Sequence, residues 1–147
     1  MHRTVLAAIT AAVLTACSSQ VNVKEQIALA ETAIVEEDAE STRRYCDRLL
    51  ADSAAYRSLE ATDMARLSIL YMQINERTDD HEAVDIAADC FRDAFLLDAD
   101  SARIYYESLT PDNLKYAMAL SSIVSSMDNP HRLDLLGEES SEFADSL

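Results

Sequence analysis

Asp79-Asp-His-Glu-Ala-Val-Asp-Ile-Ala-Ala-Asp-Cys-Phe-Arg-Asp-Ala-Phe95 is the stretch whose pattern decides the fold. Ala83, Ile86, Ala87, Cys90, Phe91, Ala94 and Phe95 recur at three- and four-residue steps, which puts them on one broad helical face. Asp79 stands before the run with Glu82 three residues on, so Asp79 is expected to cap the helix in a capping box. Similar stripes flank it. Asp63–Arg77 carries Met64, Leu67, Leu70, Tyr71 and Ile74, with Thr62 as the expected N-cap. Thr110-Pro111-Asp112 is a start signal for a helix carrying Leu114, Ala117, Leu120, Ile123, Val124 and Met127, which Asn129-Pro130 ends. Lys24–Glu37, about Glu40–Ala54 and a short Ser101–Leu109 complete six expected helices. In the short one, Ile104, Tyr105 and Leu109 should face inward.

Composition agrees. One glycine and two prolines in 147 residues leave few tight turns for a sheet. The expected class is all-α, built as stacked antiparallel hairpins or as a compact helical bundle. Ala39, Cys46 and Arg48 recur as Ala83, Cys90 and Arg92 at a spacing of 44, which favours hairpins. The alternation of long helices and short breaks is similar to tetratricopeptide-type α-solenoids. The period is not 34 and the consensus Trp and Gly are absent, so no binding residue is carried over from that family.

The first residues read differently. His2 and Arg3 precede Val5–Leu14, an apolar run too short to span a bilayer, which takes about 20 helical residues. The run fits the core of a signal peptide. Leu14-Thr15-Ala16-Cys17 resembles a bacterial lipobox. The resemblance implies removal of residues 1–16, diacylglycerol on the Cys17 thiol and an acylated Cys17 amine. Ser18, in place of Asp, would send the protein to the outer membrane. Alternatives are a non-lipidated signal peptide and an uncleaved anchor. The expected organisation is therefore a signal peptide at 1–16, a lipid-anchored tether at 17–23, a helical domain at 24–128 and an acidic, frayed tail at 129–147.

The formal charge is −15. Such a field repels nucleic acid and favours cationic partners, and it also serves plain solubility. Chemistry is sparse. His81 and Asp85 share a helix face, but carboxylates at a helix start need no metal. Asp98-Ala-Asp100 lacks the glycine and glutamate of a calcium loop. A lone glycine excludes a phosphate loop, and neither His81 nor His131 sits in a nucleophile motif. No metal, no cofactor and no catalysis are expected. Asp52-Ser53-Ala54, Asp100-Ser101-Ala102 and Asp145-Ser146-Leu147 each resemble an O-glycosylation acceptor; Asp-Ser is also ordinary helix-boundary chemistry. Cys46 and Cys90 would sit in an oxidising compartment. They form a disulfide if the helices bring them together across a bundle, and are small buried residues otherwise.

Tyr105-Tyr106 is the candidate partner-binding pair. Adjacent helical residues point about 100° apart, so one core cannot easily bury both. Two functions remain at this level. One is an envelope lipoprotein acting as a small protein-interaction module. The other is a structural or accessory lipoprotein without a specific groove.

Overall fold

A computed structural model describes residues 20–128. Cys17, residues 1–16 and the tail 129–147 lie outside these residues, so the lipobox, the signal peptide and the tail expectation do too. The described chain is helical throughout, with no strand: α1 Val23–Val35, α2 Ala39–Ala51, α3 Ser53–Ser58, α4 Ala61–Thr78, α5 His81–Leu97, α6 Ala99–Glu107 and α7 Pro111–Asp128. The all-α class holds. The helix beyond the expected six is α3. Asp52 closes α2 and accepts a hydrogen bond from the Ala55 N–H at 2.8 Å, so it opens the next helix.

Capping explains the other shifts. Asp79 adopts the left-handed conformation (φ 54°) and ends α4, so the cap of α5 falls one residue later, on Asp80. Thr62 lies inside α4. Glu60 caps it instead, and the Glu60 N–H donates to Asp63 Oδ2 at 3.0 Å in a capping box. Glu37 is also left-handed (φ 63°). Its N–H reaches the Ile34 carbonyl and the Asp38 N–H the Ala33 carbonyl, the paired bonds of a Schellman turn. Both long hairpins thus turn through one left-handed residue followed by a capping Asp.

The core is centred on α4, which packs against α1, α2, α5, α6 and α7. Its stripe is buried as expected: Met64, Leu67, Leu70, Tyr71 and Ile74. Each such side chain contributes about 1.5–3 kcal/mol by leaving water. On α5, Ala83, Ala87, Cys90 and Ala94 are buried, Ile86 and Phe91 partly so, and Phe95 stands out at the end. Leu114 and Met127 are likewise exposed on α7, because that helix meets α4 and α5 along a narrow strip around Tyr116, Ala117 and Leu120. The expectation for Ile104 is overturned: it is 61% exposed.

Candidate functional site

The tyrosine pair lies on α6, which Asp98 caps by accepting from the Asp100 and Ser101 N–H groups at 3.1 and 3.2 Å. That bond set is the boundary chemistry of Asp100-Ser101. Tyr106 is not a surface residue. It is 7% exposed, its ring sits 4.9 Å from Phe91 and 5.8 Å from Phe95, and its hydroxyl shares a 2.7 Å hydrogen bond with buried Ser68 of α4. Tyr105 is half-buried and stands edge-on to Tyr106 at 5.5 Å. Burial, with the nearby Glu31 carboxylate, pushes the Tyr105 hydroxyl up to about 12. Two adjacent helical residues cannot easily share one packing partner. Helix α6 packs on both α4 and α5, so two sides are covered and the outward side falls on Ile104.

The disulfide alternative also falls. Cys46 and Cys90 are both buried and both free. Helix α2 packs chiefly on α1 and then on α4, and α5 packs chiefly on α4, so neither has the other as a main partner. Burial raises both thiols, Cys90 to about 12 with the Asp93 charge adding, which leaves no thiolate for exchange near neutral pH.

A polar cluster that the sequence reading missed joins α2 to the α4–α5 turn. The Arg43 Nε donates to both Asp47 oxygens at 2.9 and 2.8 Å, Nη1 donates to Asp80, and Nη2 donates to Glu82 at 3.1 Å. The Tyr71 hydroxyl donates to Asp47 Oδ1 at 2.6 Å, with the guanidinium 5.6 Å from its ring centre. Burial alone would lower the Arg43 pKa, but the hydrogen bonds and charges of Asp47, Glu82 and Asp80 outweigh it and raise it. Burial also holds Tyr71 protonated, well above the ordinary range. Arg43 therefore keeps its charge and Tyr71 its proton near neutral pH, and the cluster's hydrogen bonds tie α2 to α4 and α5. Beside it runs an open groove of about 790 Å³ between Ala39, Arg44, Arg48, Ala51 and Ile74. The Arg43–Asp47 spacing was readable in sequence; Asp80 and Glu82, 37 and 39 residues away, were not.

No family model, curated protein or solved structure matches the chain. Among the described residues no three His, Cys, Asp or Glu side chains stand together as a metal site, and His81 and Asp85 are both exposed.

The most distinctive surface is the end of α5. Asp98 stops α5 and starts α6 at once, which strands Leu96 and Leu97 outside the core at 76% and 55% exposure. Leu97 and Leu59 border two clefts. One, about 300 Å³, is lined also by Tyr56, Met64, Asp93 and Leu96. The other, about 350 Å³, adds Glu60, Thr62, Asp98 and Ser101. Helix α3 brings Tyr56 here, 42% exposed, its hydroxyl 3.3 Å from Asp93 Oδ2. The result is an apolar strip edged by Glu60, Asp93 and Asp98, with Arg57 as the one base lining either cleft. Its sequence signal was the run Phe95-Leu96-Leu97, since three consecutive helical residues cannot all face one core.

Proposed function

We propose that this chain is an envelope lipoprotein whose helical domain binds a protein segment, with no catalytic step. The observation that carries the reading is the acid-edged apolar strip at Leu96 and Leu97. Exposed apolar clefts with a charged rim suit a segment that offers leucine-like side chains and basic residues. The net charge of −15 points to the same chemistry and predicts association that slows with salt. Anchoring rests on the lipobox resemblance at Cys17. Only a few residues would separate that lipid from α1, so the domain would sit close to the membrane surface. No described helix is long and apolar enough to cross a membrane.

The test uses the acylated protein in intact membranes. A photo-crosslinking phenylalanine analogue at position 97 should give one discrete adduct with another protein, and the same analogue at exposed Met118 should not. The mass of the native chain should begin at acylated Cys17, and Cys17→Ser should release it or block processing. No adduct from position 97 would remove the interaction reading in favour of an accessory lipoprotein without a groove.

A further inference from the structure

The two clefts at the end of α5 share a wall, and that relief selects the shape of what binds there. Resting on the docking reading above, we propose that the strip recognises an amphipathic α-helix with two leucine-like side chains one turn apart and basic residues beside them. Leu97 is the knob between those two side chains.

Leu97 and Leu59 line both clefts, whereas Tyr56 and Leu96 line only one and Thr62 and Ser101 only the other. Leu97 is 55% exposed and Leu59 5%, so Leu97 forms the ridge and Leu59 the floor. A projecting side chain with a hollow on either side is what a facing helix matches, with its own side chains at i and i+4 straddling the knob. At about 300 and 350 Å³ the clefts lie at the low end of pockets that hold whole small molecules, and each suits one large side chain.

The backbone decides between a helix and an extended segment. An extended segment carries N–H and C=O groups that need partners. Peptides bound in that form pair with a sheet edge, and there is no strand among the described residues. The Asp100 and Ser101 N–H groups at the start of α6 are already taken by Asp98. A helix closes its own backbone bonds and asks only for apolar contact and charge.

Charge fixes the flanking residues. Asp93 lines the cleft of Tyr56, and Asp98 with Glu60 lines the cleft of Thr62, so each hollow has an acid beside it. Arg57 lines only the cleft of Tyr56, so the stronger demand for a cation falls at Asp98 and Glu60.

The test uses the chain from position 17, carrying Cys17→Ser, and fluorescein-labelled peptides rich in Ala and Lys, read by anisotropy. In one peptide two leucines stand at i and i+4, on one helix face; in the other they stand at i and i+2, which a helix points to different sides. The first should bind about tenfold more tightly, and a version with Glu in place of Lys should not bind. Leu97→Ser should abolish the preference between the spacings. Tyr56→Ala should weaken the i, i+4 peptide unless the leucine beside Tyr56 has been replaced by Ala. Thr62→Met, which fills the other cleft, should show the same dependence on the other leucine. Leu97 and Tyr56, at 55% and 42% exposure, can be changed without opening the core. Equal binding of the two spacings, or a preference that survives Leu97→Ser, overturns the proposal. An adduct from position 97 in membranes without a spacing preference keeps the docking face and removes the helix. A spacing preference without any adduct keeps the helix-selective relief and removes the partner reading.

Discussion

Tyr106 shows how much a single residue's role depends on what lies on its far side. As a helix position it looked available. In the fold it bridges Phe91, Phe95 and Ser68, three residues on two helices. Tyr106→Phe should cost about 0.5–1.5 kcal/mol, the net worth of one hydrogen bond, because Ser68 keeps its bond to the Ala65 carbonyl. Tyr106→Ala should cost about 3–5 kcal/mol, as for other large aromatic truncations in a core. Urea denaturation followed by circular dichroism measures both. Equal stability of the Ala variant would return Tyr106 to the surface. The exposed leucines behave in the opposite way: Leu97 fits the helical pattern of α5 and yet ends outside, since Asp98 turns the chain before anything can cover it.

At the scale of elements, Arg43 adds a polar tie between two hairpins that α4 already packs together through the core. It lies on α2, and its fork reaches Asp80 and Glu82 at the start of α5. Arg43→Lys keeps the charge but loses the planar fork that engages three carboxylates at once. The expected loss is about 1–2 kcal/mol, kept small because Asp47 and Glu82 are substantially exposed and screened. Arg43→Met should lose more, since it leaves three carboxylates facing one another. Thermal denaturation of the purified domain reads the order; a Lys variant as stable as the wild type would show that the fork carries no stability. The helices themselves were readable in advance, since a helix closes its hydrogen bonds four residues back and is capped by near neighbours. Pro111 starts α7 where the sequence pointed. The caps that moved, from Asp79 to Asp80 and from Thr62 to Glu60, did so within a residue or two, where several polar side chains compete for the same N–H groups.

At the scale of the whole molecule, excess acid sets the response to pH. Among the described residues three carboxyl groups are held below their ordinary values: Asp38 by the Ser41 hydroxyl and N–H, Asp98 by the Ser101 N–H and hydroxyl, and Glu76 by Lys115 and then Tyr116. A depressed carboxyl stabilises the fold above its unfolded pKa, ordinarily 3.8 for Asp and 4.5 for Glu, and loses that contribution as pH falls through the folded value. The stability gap between the wild type and Asp38→Ala should therefore be constant from pH 7 to about 5 and close below about pH 4. Melting curves of the two proteins at matched ionic strength check this. A gap that persists in acid would mean that Asp38 acts without its charge.

The sequence alone determined that this chain is helical, where most of its helices start and stop, and which stripe of α4 is buried. Those properties rest on bonds and spacings within a few residues. Only the tertiary structure decided that α6 is covered on two sides, that Arg43 meets Asp80 and Glu82, that Cys46 and Cys90 are buried and unbonded, and that Leu96 and Leu97 are left bare. Each of these depends on which distant segment arrives beside a given face, and α4, packed against five other helices, sets those arrivals through contacts that no local pattern encodes.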